Sequence, residues 1–281
     1  MDFKEIGRLL HELDEAVFPS NIYCLCCGSL IDRSRLYSLC DTCIGRFHWI
    51  TGRTCARCGK ALPDTYAGRF CYDCMGQEHA FIRGFSCLTY GLHEREIMMD
   101  LKYAGKGYIA GKCGDMMFDR IEEEIRCGWF SPGRHPVDLV VPVPVSRRRL
   151  LQRGYNQSEW MARQLVRRWS QVGLDGGSCS AAPAPRLCPQ LLQRTRETQK
   201  LRSLSPAERR LELTGVFRAD PSFAAHLAGK NVLLIDDIYT TGATADACSR
   251  ALLAGGAAEV TLLTWASGGN RRPEHIGEDS A

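Results

Sequence analysis

The chain has 281 residues, 24% of them charged and 44% hydrophobic, and a formal net charge of +4. That length can bury a full-sized core plus a smaller module. No apolar run approaches the roughly 20 residues needed to span a bilayer, and so mild a positive charge does not by itself argue for nucleic acid.

The chain opens on MDFKEIGRLLHELDEAVFPS, where Phe3, Ile6, Leu9, Leu10, Leu13 and Val17 share one helical face. This segment lacks the basic end and continuous apolar run of a signal peptide. A cytoplasmic location without membrane insertion is the default expectation. Eight of the fifteen cysteines then fall into four pairs: Cys24/Cys27, Cys40/Cys43, Cys55/Cys58 and Cys71/Cys74. The second set repeats the first at an offset of 31, and Gly28 and Gly59 follow the first pair of each set. Such spacing fits two structural Zn²⁺ sites, each closed by four thiolates. A single zinc, or a disulfide remnant, is the weaker alternative where no secretion signal precedes it. Sequential pairing is simplest, with a cross-braced arrangement left open, and Cys26 reads as a spectator beside Cys24. The other cysteines read as small buried hydrophobes, and the scattered histidines suggest no role.

Near residue 80 the composition changes, which divides the chain into a helix-plus-zinc module (1–80), an α/β domain (81–268) and a disordered tail (269–281). In the second domain RGFSCLTYGLHEREIMMDLKY predicts a strand and then a helix with Ile97, Leu101 and Tyr103 as its apolar positions. Lys102 and Lys106 at its end read either as solvated charges or as phosphate contacts. A helix over 111–125 follows, then a buried strand over 137–143 that Pro142 and Pro144 limit. The next loop carries Arg147, Arg148, Arg149 and Arg153 to Gln157, a set of guanidinium groups suited to phosphate oxygens. A helix with Trp160, Leu165 and Val166 comes next, and then a Gly/Ser/Ala/Pro loop over 172–185. Ser205-Pro206 starts a short helix through Leu211, and the last strand is expected over 260–265.

Between these lies VLLIDDIYTTGATADA. Val232 to Ile235 is an apolar, β-branched run suited to a strand buried on both faces, and Ala243 to Ala254 reads as a helix. The turn between them sits where open α/β sheets bind ligands. A helix start with Gly242 and threonine hydroxyls stabilises an anion. Asp236 and Asp237 would repel that anion, but they suit the two hydroxyls of a sugar or a nearby Mg²⁺. A ribose carrying a 5′-phosphate satisfies both. The competing readings are a phosphoacceptor receiver domain, for which too few β/α units follow, and a strand-end turn with solvated acids. No G-x-x-x-x-G-K-[ST] occurs, which excludes a mononucleotide P-loop.

VLLIDDIYTTGAT resembles the phosphoribosyl-pyrophosphate (PRPP) signature of type I phosphoribosyltransferases. The resemblance implies that Asp236 and Asp237 are the catalytic acids facing the ribose. It implies that Tyr239, Thr240, Thr241, Gly242, Ala243 and Thr244 wrap the 5′-phosphate, and that Mg²⁺ accompanies PRPP. Arg147 would lie in the pyrophosphate loop, and residues 195–203 in a mobile hood. Together with the four CxxC pairs, LKYAGK, PVPVSRRRLLQRGYNQ and RTRETQKLRSLSPAERR, it resembles the ComF competence-protein family, including GntX-like DNA-utilisation proteins. That family implies a type I phosphoribosyltransferase-like parallel sheet with flanking helices, preceded by a double Cys₄ module. It also implies a link to DNA uptake or use of external DNA, with other DNA-uptake proteins as partners. One departure is LELTGVF, where relatives commonly carry Asn before the Gly-x-Phe.

Two functions follow as expectations. One is a phosphoribosyltransferase whose acceptor the sequence does not identify. The other is a non-catalytic protein that senses PRPP or binds single-stranded DNA. For DNA, Arg46, Arg53, Arg57, Lys60 and the basic 147–168 face would track phosphates. Tyr23, Tyr37, Phe47, Trp49 and Tyr72 would stack bases, although these aromatics read more readily as a small core around zinc.

Overall fold

A computed structural model describes residues 22–130, 136–174, 184–199 and 204–270. The amphipathic opening, most of the 172–185 segment, Cys179, residues 200–203 of the expected hood and the tail from 271 lie outside the described residues. Backbone contacts divide the chain into two compact units, Met1–Phe47 and His48–Ala281. The second cysteine set therefore belongs with the sheet that follows it. None of the helices among the described residues is long and apolar enough to cross a membrane.

Five strands of the larger unit are β1 (Arg83–Thr89), β2 (Leu139–Pro142), β3 (Arg186–Leu187), β6 (Asn231–Tyr239) and β7 (Glu259–Ser267). They form one parallel sheet in the order β1-β7-β6-β2-β3. Two short strands, β4 (Leu192–Arg194) and β5 (Phe217–Ala219), pair antiparallel beside it. The main helices are α1 (Leu92–Tyr103), α2 (Ile109–Arg126), α3 (Arg147–Arg153), α4 (Gln157–Leu174), α5 (Pro206–Leu213) and α6 (Ala243–Ala254). This is the expected architecture: a parallel α/β sheet flanked by helices, after a double Cys₄ ribbon.

Because side chains alternate across a strand, β6 serves two cores. Val232 and Leu234 join Leu252 and Cys248 of α6 and Leu62 and Phe81 near the second ribbon. On the other side Leu233 and Ile235 are equally buried, as are Phe118 of α2, Trp169 of α4 and Trp265 of β7. Phe118 meets Trp169 edge-on at 6.3 Å, and the Trp265 indole N–H reaches Met116 Sδ at 3.1 Å. A strand with no wet face explains the unbroken apolar run of the sequence.

Two local expectations change. β6 does not stop at Ile235: pairing with β7 runs on through Asp236↔Thr264 to Tyr239↔Ser267, so the acidic pair is part of the strand. Nor is Arg147–Arg153 a loop. Ser146 accepts a hydrogen bond from Arg149 N–H and caps it as a helix, which ends at Gly154 with φ 80°.

Candidate functional site

The cysteines come together in sequential sets. Cys24, Cys27, Cys40 and Cys43 form one group and Cys55, Cys58, Cys71 and Cys74 the other, with ligand atoms within 4.8 Å of one another in each. The pairing is therefore sequential rather than cross-braced. The offset of 31 is also structural. Leu25 N–H donates to Ser38 O as Ala56 N–H does to Arg69 O. Likewise Cys40 N–H points at Cys24 Sγ as Cys71 N–H does at Cys55 Sγ. Gly28 and Gly59 turn each knuckle at φ 70° and 75°. At Gly59 a Cβ would lie 2.3 Å from Gly84 O, so β1 packs directly on that knuckle. Four sulfurs with no other donor suit a structural zinc. In the second group hydrogen bonds from Cys58, Cys71 and Cys74 hold Cys55 well below the ordinary thiol range. Those involving Cys55, Cys58 and Cys71 push Cys74 well above it. Shared protons of this kind are what a divalent ion displaces.

At the carboxyl end of β6 the strand's alternation separates the two acids. Asp236 lines a small open cavity of about 60 Å³ together with Ile238, Tyr239 to Ala245, Leu262, Thr264 and Arg209. That is several times the roughly 10–15 Å³ one water requires, enough for a small anionic group. Gly242 is the N-cap of α6, with φ 81° and no side-chain cap, so the first amides of the helix are left for the cavity. A Cβ on Gly242 would sit 2.6 Å from the Tyr239 hydroxyl and 3.0 Å from His79 Cε1, so only glycine closes this turn. Thr240 is exposed and Thr241 and Thr244 are half-buried. Arg209 arrives from α5, which Ser205 and Glu208 cap reciprocally. Its Nε–H donates to Leu204 O at 2.9 Å. Arg209 carries no local sequence signal that marks it for this cavity.

Asp237 is buried and turned the other way, into an ion pair with Lys102 at the end of α1. It also accepts from Gln157 Nε2 at 3.3 Å and from Ile238 N–H at 2.8 Å. Ser158 Oγ donates to Asp236 at 3.4 Å, and Arg153 donates to Gln157 at 3.0 Å. The RGYNQS stretch thus holds the acids through its amide and hydroxyl. Asn156 and Tyr155 secure the turn itself, donating to Val143 O and Leu101 O. Of the two lysines after Leu101, Lys102 pairs with Asp237 and Lys106 with Asp100. Arg147, Arg148 and Arg149 are exposed on α3 and do not line the cavity. Residues 195–199 lie against the 212–216 turn, through Arg196 to Glu212 and Thr195 to Gly215.

Burial, and then the neighbouring Asp237 charge, push the Asp236 carboxyl up to about 8. Burial would also raise Asp237, but the Lys102 ammonium and its hydrogen bond hold that carboxyl below its ordinary value. An acid raised on folding contributes stability that is fully present below its ordinary pKa of 3.8 and lost as pH rises toward about 8. The ligand-free protein is therefore expected to lose stability across that window, at up to about 1.4 kcal/mol per pH unit. Asp236→Asn should flatten the loss. Denaturant midpoints measured across the pH range check this, and equal slopes for both proteins would contradict it.

The ribbon's cations are mostly committed. Lys60 is buried and paired with Asp73. Arg53 donates to Tyr66 O at 2.7 Å and Arg57 to Phe81 O at 3.4 Å. Among the aromatics Phe47 is buried, Tyr23 is 56% exposed, and Tyr37, Trp49 and Tyr72 are intermediate.

Comparisons with known proteins agree with this organisation. The double zinc ribbon domain matches residues 13–75. The chain is 25% identical over 226 residues to the DNA utilization protein YhgH of Escherichia coli (strain K12), covering 80% of this chain and 88% of that protein. It is 26% identical over 247 residues to Competence protein F of Haemophilus influenzae (86% and 95%) and 27% identical over 233 residues to Competence protein ComFC of Bacillus subtilis (80% and 82%). These homologues span most of the chain and bear out the resemblance drawn from its motifs.

Proposed function

We propose that this chain, a relative of competence and DNA utilization proteins, binds a 5′-phosphorylated ribose, PRPP with Mg²⁺ foremost, and acts in the handling of incoming DNA. The observation that carries the reading is the cavity where the uncapped start of α6, Gly242 and the Thr240–Thr244 hydroxyls converge beside Asp236. The α6 amides, with Arg209 across the cavity, receive the phosphate, and Asp236 accepts from a ribose hydroxyl. Asp237, fixed by Lys102 and Gln157, orients its neighbour and supplies the negative charge. Mg²⁺, which Asp236 at the cavity would help to hold, would supply charge stabilisation for a departing pyrophosphate. In a transfer reaction the C1–oxygen bond to pyrophosphate breaks as an acceptor's lone pair bonds to C1, through a sugar cation that nearby carboxylates stabilise.

A second reading is a binding protein without turnover that holds single-stranded DNA. It is favoured by the exposed Arg147, Arg148 and Arg149 and by a separate open groove lined by Tyr66, Arg69, Phe70, Tyr72 and Met75. One experiment addresses both. Calorimetry with PRPP, with and without Mg²⁺, should show binding that Thr241→Ala and Asp236→Asn each weaken about tenfold, near 1.4 kcal/mol. Unchanged affinity in both variants would remove the cavity assignment. The same protein titrated with a single-stranded oligonucleotide over a salt series gives the second arm. DNA affinity should fall with a log–log slope of about −0.7 per phosphate neutralised, and replacing the three arginines together should flatten it.

A further inference from the structure

The second zinc site and the phosphate-binding loop are joined by one side chain that neither needs for its own donor set. His79 is fully buried, and its two ring nitrogens face opposite ways. Nδ1 lies 2.7 Å from Asp246 Oδ2 in the first turn of α6, and Nε2 lies 3.3 Å from Sγ of the zinc-ligating Cys74. The same carboxylate accepts the next backbone amide, Ala80 N–H, at 2.9 Å, and Asp246 N–H donates to Gly242 O at 2.8 Å. The ring itself touches the turn, since His79 Cε1 would be 3.0 Å from a Cβ at Gly242. Phe81 stacks on His79 at 4.8 Å and meets Tyr239 edge-on at 6.2 Å. Every residue in this chain of contacts lies within the larger unit.

We infer that His79 is a positioning residue that couples the second zinc site to the 239–246 turn, so that each is more ordered when the other is. A histidine that bonds a metal-bound thiolate fixes that ligand's orientation, and loss of such a partner typically lowers metal affinity about 10–100-fold. Here the far nitrogen holds the carboxylate that fixes the start of α6. The metal's environment and the turn's geometry are set by a single ring. Coupling of this kind is reciprocal: whatever factor zinc adds to ligand affinity, ligand adds to zinc affinity at the second site. This ligand arm rests on the reading of residues 239–245 as a phosphate loop; the coupling of zinc to the turn does not.

Two conservative variants cut the relay at different ends while sparing all eight cysteines. In His79→Asn the amide can stand in for Nδ1 and reach Asp246 but not Cys74. In His79→Gln it can stand in for Nε2 and reach Cys74 but not Asp246. The readouts are zinc release to a chromophoric chelator and hydrogen exchange of the amides of residues 239–247, on full-length zinc-loaded protein. Both variants are expected to retain zinc, to release one of the two ions about tenfold or more faster, and to exchange the 239–247 amides faster. Cys27→Ser, which disables the other site, should leave that exchange at the wild-type rate. Saturating PRPP with Mg²⁺ should slow release of the second zinc in wild type and not in either variant. Wild-type exchange at 239–247 in His79→Asn, or wild-type zinc release in His79→Gln, would overturn the inference, because each variant would then disturb only the end it cuts. If the amides respond to His79 but PRPP neither binds nor slows zinc release, the coupling stands and the phosphate-loop reading falls.

Discussion

Exposure to a strong chelator is expected to strip zinc in two separated phases, with the Cys24/Cys27/Cys40/Cys43 site emptying first. Cys27 is exposed and Cys40 half-exposed, whereas Cys55, Cys58 and Cys71 are fully buried and Cys74 is 5% exposed. Within residues 22–47 the buried side chains are few: Ser38, Leu39 and Phe47 besides two cysteines. So small a core cannot offset its chain entropy without the metal, and the first ribbon should unfold as its zinc leaves. The second ribbon keeps contacts of its own, since Gly84 N–H donates to Arg57 O at 2.7 Å and Leu62 and Phe81 are buried with the sheet. Its removal should instead lower the stability of the larger unit. Structural zinc in small domains is worth on the order of 10–16 kcal/mol of folding free energy at neutral pH, far more than one side chain supplies. Cys58→Ser should therefore destabilise the larger unit more than any single substitution at the cavity or among its acids. Chelator kinetics with limited proteolysis read both phases. A single phase, or protein purified without zinc, would contradict the assignment.

The parts of the molecule legible from sequence were those whose determinants lie close together along the chain. A CxxC knuckle and its glycine are local, so the eight ligands could be read from spacing, while their sequential grouping needed the fold. The α6 start could be read because Gly242 must adopt a left-handed φ at a helix N-terminus. The start of α5 at Ser205-Pro206 was legible because its signal is also local. What spacing misses is pairing across long separations. β6 extends past Ile235 because β7 offers partners to Asp236 and Tyr239, and nothing local announces it. Arg209 reaches the cavity only because α5 lies near the start of α6. His79 looked like one scattered histidine among seven, because its partner Asp246 is 167 residues away. Lys102 read equally well as a solvated helix end until the fold placed Asp237 beside it. The tri-arginine run shows the opposite error. A suggestive composition pointed to a loop, while Ser146, an ordinary N-cap, was already marking a helix.

Removing one member of the Lys102–Asp237 pair is expected to cost about 3–5 kcal/mol of stability, the range found when a buried ion pair loses one partner. The Lys102 side chain is 18% exposed and that of Asp237 10%, so neither charge left alone is rehydrated well. The two losses differ in kind. Lys102→Met leaves Asp237 charged beside Asp236 with only Gln157 and the Ile238 amide as donors. Burial is then the leading influence on Asp237, so its carboxyl should rise above the ordinary value and the protein should lose stability as pH rises through it. Asp237→Leu strands an ammonium but relieves Asp236 of its second-largest perturbation, the neighbouring charge. The double variant removes both charges and keeps much of their volume, so it should recover most of what either single change loses. Denaturant unfolding of all four proteins at neutral pH and physiological salt gives the coupling energy directly. Single variants within about 0.5 kcal/mol of wild type would mean that water screens the pair as it does a surface bridge. A coupling of several kcal/mol would place Lys102 with the acids as part of one unit, a lysine set at the strand end to keep one carboxylate charged while its neighbour stays neutral.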